Sequence, residues 1–198
     1  MKRLFDVVFA MIGLFLLSPV ILGIAWKIKR EMGGAVFFRQ LRPGLHGAPF
    51  EMIKFRTMLD INDVAGRPLP DAQRLTALGA FLRSTSLDEL PELWNVVKGD
   101  MSLVGPRPLL FRYLPCYTER ENKRHDVRPG ITGWAQINGR NTVDWDRRLE
   151  LDVWYVENRS IFLDIKILTK TVIKVFRRED VVVDTNSLLD DLDVVRSK

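Results

Sequence analysis

Cysteine and histidine are almost absent from the 198-residue chain, and this scarcity limits the metal sites that it can form. The single cysteine, Cys116, excludes an internal disulfide bond and a cysteine-based zinc site. His46 and His125 are too few for a histidine-rich metal site. Any metal ion would therefore be bound by oxygen atoms, which favours Mg²⁺ or Mn²⁺ over Zn²⁺.

Acidic residues are scarce at the N-terminus, where most of the net charge of +5 lies. Residues 1–30 contain five basic residues and one acid, Asp6, a balance of +4, so the other 168 residues carry only +1. A protein that binds nucleic acid more often spreads its excess charge over a recognition surface. Here the excess flanks an apolar segment, which favours anionic lipid headgroups and predicts no nucleic-acid partner.

The apolar segment from Leu4 to Trp26 contains one charged residue and exceeds the roughly 20 residues that span a bilayer. A secretory signal peptide would have a shorter apolar run followed by a small-residue cleavage site. A basic cluster follows instead, so we expect the segment to be retained. A simple transmembrane helix is one interpretation.

Two features favour a re-entrant helix that enters and leaves the membrane on the same face. Ser18 and Pro19 lie inside the run, and Pro19 cannot donate to the Phe15 carbonyl, which the Ser18 hydroxyl could bond instead. Both ends of the segment are basic, so the positive-inside rule gives no preferred orientation. The residues alone leave the spanning and the re-entrant helix open.

The remainder of the chain predicts a mixed α/β fold that is dominated by helices. Two β-rich runs, 35–39 and 50–55, flank a turn-rich connector and predict a small hairpin. Lys54, on its second strand, is a candidate phosphate ligand or an ordinary residue of a solvated edge. Helices are predicted over 74–83, 87–98, 109–125, 144–158 and 160–178, and Pro115 is expected to disturb the third of them. A polar loop is predicted over 60–73 and an acidic tail over 179–198.

Adjacent carboxylates, Asp88 and Glu89, lie between Arg83 and Arg107. One carboxylate can hold a divalent cation or attack phosphorus, the other can accept a proton, and arginine can bind phosphate oxygens in a bidentate manner. The alternative is a helix start, in which Ser86 caps the helix and the acids occupy its first turn. The spacing alone is compatible with both interpretations.

The segment 128–141 (RPGITGWAQINGRN) is poor helix material. It combines three glycines, a tryptophan and several polar amides. Such a segment can form a shaped loop whose backbone approaches a ligand closely. A simple irregular connector is the alternative.

Together these segments resemble the monotopic phosphoglycosyl transferases, or bacterial sugar transferases, and in particular the short, PglC-like members. The resemblance extends from about Lys2 to Arg178. Several long motifs occur in fixed order, which makes a chance match improbable. They are the basic apolar segment with Ser18-Pro19, QLRPG at 40–44, KFRTM at 54–58, LRSTSLDELPELWNVVKGDMSLVGPRP at 82–108 and RPGITGWAQINGRN at 128–141.

The resemblance implies transfer of a sugar 1-phosphate from a UDP-sugar to polyprenol phosphate, with release of UMP. The family's nucleophile matches Asp88, which would attack the β-phosphate, carry the phosphosugar and contact the required Mg²⁺. Glu89 matches the second acid of the family's pair. The role implied for this acid is either to accept a proton or to set the geometry of the metal and the phosphate. This reaction is the first membrane step of glycoconjugate biosynthesis.

The family pattern also assigns the surrounding residues and the location. Lys54, Arg83 and Arg107 match positions near the phosphates, and Arg140 matches the nucleotide end of the site. The membrane segment of the family is re-entrant and broken, here at Ser18-Pro19. These matches divide the chain into a membrane helix (1–30), a compact cytoplasmic catalytic domain (31–178) and an unassigned tail (179–198). The expected location is the bacterial inner membrane, with the active site on its cytoplasmic face and with downstream glycosyltransferases as further partners.

Two other functions remain open at this stage. A non-catalytic membrane scaffold for glycan assembly would have no need of the acids and arginines around Asp88. A metal-dependent phosphatase or pyrophosphatase acting on lipid diphosphates would use similar residues, but it would release free phosphate. A transferase would release UMP only when donor and acceptor both turn over.

Overall fold

A computed structural model describes residues 2–139, 143–177 and 191–197. The described residues form a helix-dominated structure with two small sheets, so the predicted mixed α/β class is confirmed. Helices are α1 (Lys2–Met32), α2 (Asp71–Arg74), α3 (Ala77–Ser84), α4 (Glu92–Lys98), α5 (Glu119–Asn122), α6 (Trp134–Ile137), α7 (Trp145–Asn158), α8 (Ile161–Arg177) and α9 (Leu192–Arg196). Strands are β1 (Phe37–Pro43), β2 (Pro49–Phe55), β3 (Ser102–Val104) and β4 (Gly130–Thr132).

The helix α1 is long and apolar enough to cross a membrane, and only 6% of its most apolar window is buried. Helical structure continues through Pro19, so the predicted break at Ser18 and Pro19 is not an interruption of the helix. The Ser18 hydroxyl donates to the Phe15 carbonyl at 2.7 Å. This is the carbonyl that Pro19 cannot bond, so the predicted local compensation is present.

The N-terminal end of α1 is anchored to the folded body. The Arg3 guanidinium donates to the main-chain carbonyls of Val96 and Val97 at 2.6 and 3.0 Å. It thereby satisfies carbonyl groups at the C-terminal end of α4. Asp6 is buried and accepts a 2.8 Å hydrogen bond from the Ser102 hydroxyl. Asp6 therefore supports the fold by fixing α1 to β3.

The C-terminal end of α1 packs on the same body. Ile28 is fully buried in a cluster with Phe55 and Leu82. The Arg56 guanidinium donates to the Met32 carbonyl at 3.1 Å, at the last residue of the helix. Between the two anchored ends, apolar side chains such as Phe15 are largely exposed, in that case by 79%.

The predicted hairpin is confirmed, and it carries α4. β1 and β2 pair in antiparallel fashion, with Phe37 opposite Phe55. Asn95 of α4 accepts a 3.1 Å hydrogen bond from the Ile53 amide and donates at 2.7 Å to the Glu51 carbonyl. The helix is therefore fixed to β2, and the turn before α4 is fixed relative to the hairpin.

The second sheet joins β3 and β4 in parallel, with Ser102 opposite Gly130. Three glycines allow the two segments to approach. A methyl group on Gly130 would lie 2.1 Å from the Gly105 nitrogen, and one on Gly133 would lie 2.2 Å from the Gly105 carbonyl oxygen. The glycines of the 128–141 segment thus permit contact between two backbones.

The helix predicted over 109–125 is not continuous, in line with the disturbance expected at Pro115. It is divided into a 3₁₀ turn (Phe111–Cys116), α5 and a second 3₁₀ turn (Lys123–His125). Pro115 lies inside the first turn and lacks the amide hydrogen that a longer helix needs. The predicted helices over 144–158 and 160–178 correspond to α7 and α8. Much of the acidic tail lies outside the described residues, but Leu192 of α9 is buried.

Candidate active site

A cavity of about 560 Å³ contains five of the predicted site residues. Its lining includes both acids of the pair and three cations from separate parts of the chain. The sixth candidate, Arg140, lies outside the described residues. Among the described residues, the cavity wall contains six basic and five acidic side chains. The basic side chains suit a ligand that carries phosphate groups. The predicted residues are Lys54, Arg83, Asp88, Glu89 and Arg107.

The acid pair lies in a 3₁₀ turn, Leu87–Glu89, and not in the first turn of a helix. Ser86, before the turn, has a left-handed backbone (φ 56°) and its side chain makes no capping hydrogen bond. The following α4 begins only at Glu92, after Pro91. The helix predicted from residue 87 is therefore wrong at its start, and the helix-cap interpretation of Ser86 is wrong as well.

Glu89 is held by two cations. Its Oε1 atom is 2.7 Å from Lys54 Nζ and 2.7 Å from Arg107 Nη2. Burial opposes ionisation of this carboxyl, but Arg107 and Lys54 outweigh burial and hold its pKa well below the usual range. In turn, Glu89 raises the pKa of the Arg107 guanidinium. Glu89 is therefore a charged group that fixes the positions of Lys54 and Arg107.

Asp88 differs from its neighbour because no described residue donates a hydrogen bond to its carboxylate. It is nevertheless buried, and burial together with the charge of Glu89 raises its pKa. Lys54, Arg107 and Arg83 oppose this rise through their positive charges. A desolvated carboxylate with unengaged oxygen atoms can attack an electrophile or bind a cation.

Glu92 is a third acid of the cavity that the sequence interpretation missed. Its Oε1 atom lies 3.1 Å from Lys54 Nζ, but the contact does not have hydrogen-bond geometry. Burial raises the pKa of Glu92 to about 7, although Lys54 lowers it in part. The spacing of three residues from Glu89 could have indicated that the two acids share a side of the chain.

Three further cations of the cavity wall differ in their contacts and their burial. Arg83 Nε donates to the Thr57 hydroxyl at 3.1 Å, which fixes this side chain in the cavity wall. Arg56 is engaged with the end of α1 through Met32. Arg42 was not singled out in the sequence. Burial and the charge of Arg107 lower its pKa to about 10.

Arg107 is positioned from behind by a buried ion pair. Arg124 Nη2 donates to the Arg107 carbonyl at 2.7 Å and to Asp152 Oδ2 at 2.8 Å. Both Arg124 and Asp152 are almost fully buried. The pair therefore connects the Arg107 backbone to α7, which sequence spacing could not indicate.

We expect Arg124→Met to destabilise the protein by about 3–5 kcal/mol, because it leaves Asp152 buried without a partner. Adding Asp152→Leu should restore a large part of this stability, since apolar residues can replace a buried ion pair. Catalytic activity should remain low in the double variant, because the Arg107 carbonyl has still lost its donor. Thermal unfolding and activity assays on both variants test this; full recovery of activity with stability would contradict it.

Comparison with known proteins decides the family. The profile described as "Bacterial sugar transferase" matches residues 1–178. The chain belongs to the bacterial sugar transferase family. The predicted transferase class is thereby confirmed.

Three relatives illustrate this family membership. An "Uncharacterized sugar transferase EpsL" of Bacillus subtilis is 56% identical over 91% of this chain and 90% of its own length. An "Undecaprenyl-phosphate galactose phosphotransferase" of Salmonella typhimurium is 42% identical over 90% of this chain. A "UDP-glucose:undecaprenyl-phosphate glucose-1-phosphate transferase" of Escherichia coli is 44% identical over 89%. The bacterial sugar transferase described here spans only 41% and 40% of the latter two proteins.

Proposed function

We propose that the protein transfers a sugar 1-phosphate from a UDP-sugar to a polyprenol phosphate such as undecaprenyl phosphate. The products would be a polyprenol diphosphate-linked sugar and UMP. The observation that carries this proposal is the pairing of an unengaged buried acid, Asp88, with a clamped acid, Glu89, in a cavity rich in fixed cations. The names of the Salmonella and E. coli relatives support the same acceptor and the same class of reaction.

In the first step, an oxygen of the Asp88 carboxylate attacks the β-phosphorus of the donor. The bond between this phosphorus and the oxygen that bridges it to the α-phosphorus breaks, and UMP leaves with that oxygen. A phosphosugar then remains bonded to Asp88. Lys54, Arg83 and Arg107 stabilise the charge that develops on the phosphate oxygens.

In the second step, a phosphate oxygen of the acceptor lipid attacks the same phosphorus, and the Asp88 carboxylate is released. Two dissimilar substrates thereby use one site in turn. Because Lys54 and Arg107 hold the pKa of Glu89 well below its usual range, its carboxylate is a weak proton acceptor, and its task is to fix the phosphate-binding cations. Arg140 remains our candidate for the nucleotide end of the site.

Mg²⁺ fits the residues of the cavity. No group of three metal-ligating side chains occurs in the part of the chain that the structure describes. Asp88 has unengaged oxygen atoms, and Mg²⁺ is commonly bound by one or two carboxylates together with substrate phosphates and water. When bound through Asp88, the ion would neutralise charge on the diphosphate as UMP leaves.

We also propose that α1 is re-entrant and that the cavity lies on the cytoplasmic face of the bacterial inner membrane. The helix is about 46 Å long, and a spanning orientation would separate its ends by roughly 30 Å of hydrocarbon. Both ends nevertheless contact the same folded body, through Arg3 at one end and Ile28 at the other. Entry and exit on one face satisfy both contacts.

The reaction is tested by mixing the purified protein with Mg²⁺ and a panel of UDP-sugars, with and without undecaprenyl phosphate. We expect lipid-dependent UMP release with one or a few sugars. Free inorganic phosphate from a lipid diphosphate would instead support the phosphatase. No UMP with any sugar, and no phosphosugar adduct by mass spectrometry, would reject the proposal.

The membrane orientation makes a separate prediction. Single cysteines at Lys2 and Glu31, in a Cys116→Ser background, should both react with an impermeant maleimide in inverted vesicles and not in spheroplasts. Adding Pro19→Ala restores a backbone donor and should move part of the population to a spanning helix, so that one end becomes reactive in spheroplasts. Labelling of the unaltered ends from opposite faces would contradict the re-entrant orientation.

A further inference from the structure

A second cavity, of about 390 Å³, lies beside the active site and is here called the side groove. Its walls are formed by α1, by the segment 85–93, by residues of β4 and α6, and by α8. Its volume falls within the range of small-molecule sites, about 300–1,000 Å³. The reaction steps above leave its role unassigned.

The side groove and the active-site cavity meet at two residues. Glu89 and Arg107 line both, so the groove adjoins the active-site cavity at one acid of the pair and one of its cations. Because these two residues are 2.7 Å apart, they form one charged border between the two spaces. A ligand in the side groove could therefore present one end to the phosphate-binding cations.

The lining of the side groove is mainly apolar, unlike the charged wall of the first cavity. Among the polar exceptions is Gln136, whose Oε1 atom is buried and accepts no hydrogen bond from the described residues. Lys174 of α8 adds a second cation besides Arg107. The apolar wall includes Leu17, Leu90, Leu93, Ile131 and Val175.

The groove also adjoins the surface that faces the lipid in the proposed orientation. One wall is α1, the apolar helix, through Gly13 and Leu17. Another wall is α8, which carries exposed apolar side chains such as Phe162 and Ile165 elsewhere along its length. A basic amphipathic helix of this kind is suited to a membrane surface. A chain lying in the groove can therefore continue into the hydrocarbon.

We propose that the side groove binds the isoprenoid chain of the acceptor lipid next to its phosphate group. This inference rests on the proposed function. The donor is polar throughout and matches the charged cavity, whereas the acceptor combines a long apolar chain with one phosphate. The side groove provides apolar walls beside Arg107 and Glu89, which fits a lipid chain whose phosphate enters the charged cavity.

The inference predicts that narrowing the groove impairs the second reaction step more than the first. Val175→Trp fills it from α8, and Gly13→Leu fills it from α1. A methyl group on Gly13 would meet Leu93 at 3.4 Å, an ordinary contact, so a leucine extends into the groove without a backbone clash. The matched control is Val172→Trp, one turn earlier on α8, since Val172 is 54% exposed and does not line the groove.

The experiment measures the two steps separately with full-length protein in nanodiscs. Adduct formation on Asp88 is followed with the UDP-sugar that supports UMP release, without acceptor. Discharge of the adduct is then started with undecaprenyl phosphate or with dimethylallyl phosphate, which contains a single isoprene unit. We expect Val175→Trp and Gly13→Leu to slow discharge to undecaprenyl phosphate about tenfold relative to Val172→Trp, as for the loss of two buried methylene groups.

The rate of adduct discharge to dimethylallyl phosphate should differ by less than about twofold among the variants. A single isoprene unit buries little apolar surface in the groove, so its binding depends little on the width of the groove. Equal rates of discharge to undecaprenyl phosphate in all variants, or equal slowing with both acceptors, would overturn the inference. The groove would then be assigned to the chain of a bulk phospholipid. The two variants narrow the groove from different helices, α1 and α8, so if one variant fails to fold the other still tests the inference. Failure of the unaltered protein to form any adduct would instead overturn the proposed function.

Discussion

Asp88→Asn is expected to abolish the phosphosugar adduct and to lower UMP release about a thousandfold or more. The amide has no negative charge with which to attack phosphorus, and it is a poor ligand for Mg²⁺. The neighbouring Glu89 cannot replace it, because Lys54 and Arg107 both bind its Oε1 atom. Intact-mass spectrometry after incubation with the donor measures the adduct directly.

Asp71→Asn is the matched control for this substitution. Asp71 lines the same cavity but is half exposed and pairs with Arg74 at 3.3 Å. Exposed pairs of this kind contribute less than about 1 kcal/mol, so its activity should remain within about fivefold of the unaltered enzyme. An active Asp88→Asn enzyme, or adduct formation on another residue, would reject Asp88 as the nucleophile.

Gly130→Ala is expected to destabilise the protein by about 3 kcal/mol or more and to remove most activity. The new methyl group would lie 2.1 Å from the Gly105 nitrogen, and neither backbone can yield without breaking the β3–β4 contacts. Gly105 lies two residues before Arg107, so the displacement reaches the active site. For a chain of this size the midpoint of thermal unfolding should fall by roughly 6–12 °C.

Gly23→Ala provides the comparison for the glycine variant. Gly23 lies inside α1, and no atom is within 4 Å of the position where its methyl group would lie. Alanine favours a helix over glycine by about 1 kcal/mol, so this variant should be as stable as the unaltered protein or slightly more stable. Equal thermal midpoints for Gly130→Ala and Gly23→Ala would show that the backbone contact does not support the fold.

The two rival functions differ from the transferase in what they require of the charged cavity. A scaffold has no use for a buried acid, Asp88, that receives no hydrogen bond from the described residues, because burying such a group costs stability. A phosphatase that acts on lipid diphosphates would use the apolar groove beside Arg107 only to hold its own lipid substrate. UMP release that depends on the acceptor separates the transferase from both.

The local elements were predictable because their signals lie within a few residues. Two β-rich runs around a turn-rich connector predicted the hairpin, apolar residues at helical spacing predicted α8, and the long apolar run predicted α1. The adjacency of Asp88 and Glu89 identified the acid pair as a candidate, and the order of the motifs matched the family. Helix starts were harder to predict, since the helix predicted from residue 87 begins only at Glu92, after a separate turn over Leu87–Glu89.

By itself the sequence determined the family, the apolar helix and the residues of the acid pair. Only the tertiary structure decided which acid is engaged, because the partners of Glu89 come from β2 and from the segment after β3. Likewise, Arg124 donates a hydrogen bond to the carbonyl of Arg107, which lies 17 residues earlier in the chain. Both ends of α1 contact the same folded body. Sequence spacing describes neighbours along the chain, whereas charge, hydrogen bonding and burial depend on neighbours in space.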